Sequence, residues 1–215
     1  MLFLLNIGNN SLVQFKSMTT TLRPSPIKVE TSNGDIRTLQ RHRTWTQFKH
    51  LQKGFENSSG VRLFYYDGTI EILMPGEAHE LFKSLIGFLI ELFLFHCDVE
   101  FKPTGSMTQE KEGVASAEAD ESYEIQGFKL AIEINFTSGD ISKLQRYRAL
   151  AVNEVWIWED GILNAYHLQA GDYQSVSQSL IPALSTLDLQ VMSECILLGE
   201  TSRLKAGKKL LSTLN

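Results

Sequence analysis

A short apolar run that contains one carboxylate constrains the fold of this chain more than any other feature. Residues 130–136 read Leu-Ala-Ile-Glu-Ile-Asn-Phe, and such a run is typical of a strand inside a sheet. The polar residues 137–140 supply N-cap chemistry for a helix that runs through about Leu150. A second strand is expected at 154–158. The sequence therefore predicts a central strand, a helix and another strand in succession.

The carboxylate in this run, Glu133, needs a partner. A buried carboxylate is costly unless it is paired or bound to a metal. A two-residue turn at 126–127 would set a hairpin register that places Asp120 opposite Glu133. Like charges in opposed positions repel. A divalent cation would relieve the repulsion, and Mg²⁺ favours one or two carboxylates together with waters and phosphate oxygens.

The helix that follows the central strand adds an amine. Lys143 and Tyr147 are four residues apart and share a helix face. An ammonium group there could stabilise the charge of a phosphoryl transition state or help to activate a water. The alternative is a surface lysine that pairs with Asp140. We expect Tyr147 to pack in the core.

The rest of the chain alternates between helical and strand patterns. Thr44 begins a short helix, and two β-rich runs around residues 67–68 predict a hairpin. A mostly apolar helix is predicted from Glu77 to His96. Its expected buried positions are Leu81, Leu85, Leu89 and Leu92. Trp156 and Trp158 share one face of their strand and are expected in the core or an interface.

This order of elements predicts an α/β or α+β fold with a mixed sheet flanked by helices. The 215 residues and 43% hydrophobic content fit one globular domain. We assign residues 1–34 to a flexible N-terminal arm, 35–195 to the domain and 196–215 to a C-terminal tail.

Charge and cysteine content narrow the possible partners and compartment. The net charge of −5 argues against DNA binding by bulk attraction, so any phosphate contact must use local basic side chains, and Arg146 and Arg148 are candidates. An excess of such side chains lies near the N-terminus, and it is either a solvated face or a phosphate-contacting surface: Arg37, Arg41, Arg43, Lys49 and Lys53. Two cysteines fit a reducing cytoplasm, and the apolar stretch 85–95 is too short to span a membrane.

Several motifs, taken in order, carry a resemblance to a known family. They are the run 65–75, His79, Asp120, the strand segment 131–134, Lys143 to Tyr147, and Glu154 to Trp156. Together they resemble the Uma-two family of restriction-type endonucleases, within the PD-(D/E)XK nuclease superfamily. The resemblance covers about residues 44–189.

The resemblance implies a restriction-endonuclease-like sheet and a specific set of site residues. Asp120 and Glu133 would be metal ligands, with the main-chain carbonyl of Ile134 as a third. Lys143 would be the catalytic lysine, and His79 would orient a water, phosphate or carboxylate. The implied ion is Mg²⁺, with Mn²⁺ as a substitute, and the implied substrate is DNA, cut by a homodimer.

Two departures from the superfamily pattern keep a second hypothesis open. Asn135 occupies the position where a lysine is common, and Ala119 replaces the proline expected before Asp120. The leading hypothesis is a Mg²⁺-dependent endonuclease that hydrolyses DNA phosphodiester bonds. The alternative is a catalytically weak or inactive nuclease-fold module for binding or assembly. A small-molecule hydrolase has less support, because no serine or cysteine nucleophile lies in a recognisable motif.

Overall fold

A computed structural model describes residues 28–106, 108–136 and 142–214. The first 27 residues of the expected arm and the expected N-cap at 137–140 lie outside these residues. The described strands are β1 (Lys28–Ser32), β2 (Asp35–Gln40), β3 (Arg62–Tyr66), β4 (Thr69–Met74), β5 (Phe101–Pro103), β6 (Thr108–Lys111), β7 (Ala115–Glu118), β8 (Glu121–Ile125), β9 (Phe128–Asn135), β10 (Glu154–Glu159), β11 (Ile162–Gln169) and β12 (Asp172–Val176). The described α-helices are α1 (Trp45–Gly54), α2 (Glu77–His96), α3 (Ser142–Ala149), α4 (Leu189–Gly199) and α5 (Arg203–Ser212).

The expected mixture of helices and strands is confirmed, but the strands form two sheets. One six-stranded sheet has the order β1-β2-β4-β3-β7-β6, and the other has the order β12-β11-β10-β9-β8-β5. In the second sheet β9 and β10 run parallel, and α3 lies between them in the chain. The predicted strand-helix-strand unit is therefore present at the centre of this sheet.

Each sheet has its own packing partner. Helix α1 covers one face of the first sheet, where Phe48 and Ile70 belong to one buried cluster. Helices α2, α4 and α5 belong to the core on one face of the second sheet, which includes Trp156 and Trp158 as predicted. On its other face, Ala131 packs with Phe64 of the first sheet in a smaller cluster. The candidate site residues lie on this inner side.

Two-residue turns fix the register of the hairpins. Gln126 and Gly127 have φ angles of 50° and 85°, which is the backbone of a type I′ turn. The strands pair Ile125 with Phe128 and Glu121 with Ile132, so the predicted register of β8 and β9 is confirmed. Asp120 follows the last pair and lies at the position expected next to Glu133.

The helix predictions hold except at two positions of α2. The capping box at Thr44 and Gln47 is present, and α2 has the predicted bounds. Leu85 and Leu89 are buried, but Leu81 is 42% exposed and Leu92 is only half-buried, so the expectation is wrong for these two residues. Within the described residues, no helix is long and apolar enough to cross a membrane.

The structure differs from the sequence analysis at both ends and at one basic residue. Residues 28–32 of the expected arm pair with β2 as an edge strand. The expected tail contains α5, whose Ala206 and Leu210 are fully buried in the main core. Arg37 was grouped with a basic surface, but it is buried and ion-paired with Glu71 and Glu30.

Candidate active site

The candidate site lies where the chain passes from one sheet to the other. Strand β7 belongs to the first sheet and β8 to the second, and only Ala119 and Asp120 separate them. Asp120 is 1% exposed. The link between the sheets therefore buries a carboxylate in the protein interior.

Asp120 has three kinds of partner. Its Oδ2 accepts a hydrogen bond from the backbone N–H of Ile134 at 2.6 Å. Its Oδ1 contacts Nε2 of His79 at 2.8 Å and forms an ion pair with Arg62. The amide of Ile134 adjoins Glu133 in the chain, so Asp120 is held at the end of β9 that carries the second candidate ligand.

His79 is fully buried at the start of α2 and joins two carboxylates. Its Nδ1 lies 2.9 Å from Oδ2 of Asp35, opposite the contact with Asp120. The imidazole therefore bridges the two carboxylates through its two ring nitrogens. Asp35 also accepts from the N–H of Gly76 at 2.7 Å. These contacts fix the start of α2 against β2 and orient the imidazole toward Asp120.

The close approach at Gly76 requires glycine. A Cβ at this position would lie 2.7 Å from the backbone carbon of Gly34, which is well inside van der Waals contact. The glycine therefore allows the chain before α2 to reach the β1–β2 turn, and that approach positions His79.

Glu133 is held by two side chains of α3. Its Oε2 accepts from Nζ of Lys143 at 3.0 Å, and its Oε1 accepts from the hydroxyl of Tyr147. Burial alone would raise the pKa of Glu133, but Lys143 and Arg146 outweigh it and hold the pKa below its ordinary value. Burial and the charge of Glu133 raise the pKa of Tyr147 well above its ordinary value. Glu133 is therefore an anion and Tyr147 a neutral donor.

A third buried carboxylate, Glu71, lies between two guanidinium groups. Nε of Arg37 and Nη1 of Arg146 each lie 2.8 Å from one of its oxygens. Burial opposes ionisation, but Arg146, Lys143 and Arg37 together lower the pKa of Glu71 to about 2. The guanidinium of Arg146 also stacks 4.3 Å from the ring centre of Phe64. This cluster links β2, β4 and α3.

The structure brings the predicted residues into two contact groups at one end of β9. Lys143 contacts Glu133, and His79 contacts Asp120. The amide of Ile134 joins the groups, while a ligand role for its carbonyl stays a prediction. Asn135 donates to Glu159 at 2.7 Å and so is engaged away from these contacts.

Protein cations already neutralise the two candidate metal ligands. The expected repulsion between Asp120 and Glu133 is offset by Arg62 and Lys143, because each carboxylate has an ion pair of its own. Across residues 28–106, 108–136 and 142–214, no group of three or more His, Cys, Asp or Glu side chains is arranged to hold a metal ion. Mg²⁺ needs only one or two carboxylates in addition to waters, so the donor types still fit this ion.

Sequence reasoning missed the residues that neutralise the site. Arg62 and Glu71 occupy β-strand positions inside otherwise apolar runs, and the hairpin register places Glu71 beside Phe64. An inward-facing charge in such a run was the available signal, as it was for Glu133. Asp35 carried no comparable signal, because its role depends on the distant start of α2.

Comparison with known proteins adds no family to this description. Neither a scan against protein-family models nor a search of the curated proteins finds a match.

Proposed function

We propose that this chain is a Mg²⁺-dependent endonuclease that hydrolyses phosphodiester bonds in DNA. The observation that carries the proposal is the contact between Glu133, buried on a central strand, and Lys143 on the following helix. Asp120 is bonded to the backbone amide beside Glu133. Two acids and an amine at one strand end are the groups that metal-assisted phosphodiester hydrolysis uses.

The donor set suits a hard cation with oxygen ligands. Asp120 and Glu133 would hold the ion, with the carbonyl of Ile134 as a further oxygen, and Mn²⁺ would substitute for Mg²⁺. Each carboxylate has about four lone-pair sites, so existing hydrogen bonds leave room for a further contact. When bound, the ion would supply Lewis-acid stabilisation and lower the pKa of a bound water.

The protein's own groups would position the substrate and balance its charge. The ammonium of Lys143 would stabilise negative charge on a phosphoryl group if it shifts from Glu133 to the substrate. His79 and Arg62 fix one oxygen of Asp120, so the orientation of this carboxylate is set before substrate binds. His79 is therefore a positioning residue in this proposal.

A specific observation also favours the alternative, a catalytically weak or inactive nuclease-fold module. Both oxygens of Asp120 and both oxygens of Glu133 already have protein partners. The position where a lysine is common holds Asn135, which is bonded to Glu159. A module of this kind needs the buried ion pairs for stability and no metal at all.

A plasmid-nicking assay in Mg²⁺ or Mn²⁺ separates the two functions. We expect wild type to nick DNA and Glu133→Gln to be inactive, because the variant lacks the proposed ligand charge. Glu124→Gln is the matched control, since Glu124 is an exposed residue of neighbouring β8. Metal-independent nicking, or equal rates in all three proteins, would contradict the endonuclease proposal.

The same proposal includes a homodimer in the cytoplasm. Cutting both strands of a duplex suits a twofold assembly, and exposed apolar side chains on α2, including Phe95 at 82% exposure, offer contact area. Light scattering should give twice the chain mass of 24.3 kDa. A mass of one chain at assay concentrations would contradict the dimer.

A further inference from the structure

A cavity of about 440 Å³ lies beside the Glu71 cluster. Its walls include Arg41, His42, Tyr66, Glu71 and Arg146, whereas Asp120 and His79 belong to the separate contacts described above. Pockets for small ligands have volumes of roughly 300–1,000 Å³. The cavity is therefore large enough for a nucleotide unit.

Arg146 has two nitrogens without a partner. It is 4% exposed, and its Nη1 donates to Glu71. Within the part of the chain that the structure describes, its Nε and Nη2 make no hydrogen bond. Buried donors without acceptors are uncommon and cost free energy, so this side chain requires an explanation.

The two unpartnered nitrogens lie on the same edge of the planar guanidinium. Their N–H bonds point in nearly the same direction and form the fork that binds two oxygens of a phosphate or carboxylate. Glu71 holds the other side of the group, so the fork is fixed in a side chain that lines the cavity. A preorganised fork loses little side-chain entropy when an oxyanion binds.

The charges around the cavity favour an anion next to this fork. Arg37 and Arg146 share the negative charge of Glu71, which reduces its repulsion of an anionic ligand. Arg41 and His42 are exposed residues of the wall. Asp67 also lines the cavity, but it lies on the exposed turn between β3 and β4, where water screens its charge.

The cavity also has an aromatic wall and a short path to the candidate site. Tyr66 is half-buried there, and aromatic rings stack on nucleic-acid bases without strict sequence preference. Lys143 and Arg146 are three residues apart on α3, a spacing that puts their Cβ atoms about 5–6 Å apart on a helix. Arg146 therefore lies one helical turn from the lysine of the candidate site.

We infer that this cavity binds the phosphate group of a nucleotide unit, held on two oxygens by the Nε and Nη2 edge of Arg146. Arg41 supplies further positive charge, and Tyr66 lies beside the sugar and base. The inference rests on the proposed function, in which this phosphate adjoins the one that is hydrolysed. A free mononucleotide offers the same phosphate chemistry.

Binding measured without divalent metal tests the inference separately from cleavage. The probes are a labelled single-stranded DNA oligonucleotide and thymidine 5′-monophosphate, both in EDTA. For each probe that wild type binds, Arg146→Met should weaken binding roughly tenfold or more, because a bidentate charge-assisted contact is lost. Arg148→Met is the matched control, since Arg148 is exposed on the same helix. Its Nη1 lies 3.7 Å from Oδ1 of Asp172, which does not line the cavity. This control variant should change binding less than about twofold.

Two further variants keep the test valid if Arg146→Met unfolds. Arg41→Gln removes an exposed cation of the cavity wall and should weaken binding several-fold with an unchanged melting curve. Arg146→Lys retains charge but lacks the fork, so its binding should stay weak. Binding of the oligonucleotide alone identifies a strand phosphate, and binding of both probes identifies a general nucleotide site. Wild-type affinity in Arg41→Gln and in folded Arg146 variants would overturn the inference.

The outcome is distinguishable from the fate of the endonuclease proposal. Glu124→Gln should bind both probes in EDTA as wild type does, because Glu124 is an exposed residue of β8 and does not line the cavity. If wild type fails to nick DNA but its binding depends on Arg146, the phosphate site stands and the hydrolase proposal fails. If wild type nicks DNA and binding ignores Arg146, only the phosphate site fails.

Discussion

At the scale of single residues, the interior charges of this protein come in matched sets. Glu133 meets Lys143, Asp120 meets Arg62, and Glu71 meets Arg37 and Arg146. The partners come from different elements, so each ion pair also joins parts of the fold. Removal of one partner leaves an uncompensated buried charge, which is more damaging than loss of the whole pair.

Lys143 provides the first test of this view. We expect Lys143→Met to lower the free energy of unfolding by about 3–5 kcal/mol, because Glu133 would stay buried without its ammonium partner. Urea unfolding measures the loss. Lys129→Met, an exposed position on β9, should change stability by less than about 0.5 kcal/mol. The double variant with Glu133→Gln should recover part of the loss, and no recovery would mean that the ion pair is not its cause.

The pKa of Glu71 predicts how stability changes in acid. Its pKa falls from 4.5 to about 2 on folding, so its contribution is present above the unfolded pKa and is lost as the pH falls through the folded one. This difference in pKa corresponds to a contribution of about 3 kcal/mol to the free energy of unfolding. In Glu71→Gln this part of the acid dependence should disappear. Urea unfolding at several pH values between 5 and about 2 measures this dependence. Equal slopes of the free energy of unfolding against pH in both proteins would contradict the prediction.

At the scale of elements, short local sequence patterns predict much of the fold. The turns at Asp67-Gly68 and Gln126-Gly127 have the positive φ angles that a type I′ hairpin needs. The register of β8 and β9 follows from one of them, and it places Asp120 next to Glu133. Ala170-Gly171 makes the same turn but carried a weaker signal, because alanine rarely adopts this conformation.

The C-terminal helix α5 shows where local signals were insufficient. Its sequence is amphipathic but short, and its burial depends on the distant helices α2 and α4. Leu210→Ala should therefore destabilise the protein by about 2–5 kcal/mol through lost contacts and a cavity. Leu204→Ala is the matched control, since Leu204 is 67% exposed on the same helix. Equal melting temperatures for the two variants would show that α5 is not part of the core.

At the scale of the whole molecule, two sheets enclose the candidate site between them. The sequence predicted the fold class, the hairpins around residues 67–68 and 126–127, α2 and the unit from β9 to β10, because periodicity and turn chemistry are local. It predicted a single mixed sheet, whereas the strands form two. The first sheet depends on the pairing of β3 with β7, which joins residues that are far apart in the chain, and no local pattern indicates this pairing. The same limit applies to Arg62 and Asp35, whose roles depend on contacts between β-strands and a helix start that no local pattern specifies.

The overall charge of the protein leads to the last prediction. With a net charge of −5, bulk attraction does not favour DNA, so binding must depend on a few local contacts with phosphates. Each such contact releases counterions. The logarithm of the binding constant therefore falls with the logarithm of salt concentration, with a slope of about 0.7 per contact for single strands.

We expect a measurable slope of this kind for wild type with the labelled oligonucleotide in EDTA. Arg41→Gln should reduce that slope by about 0.7, because it removes one contact in the cavity. Lys129→Gln should leave the slope unchanged, since Lys129 lies at the end of β9 opposite Glu133. Salt-independent binding, or equal slopes in all three proteins, would contradict phosphate contacts at this cavity.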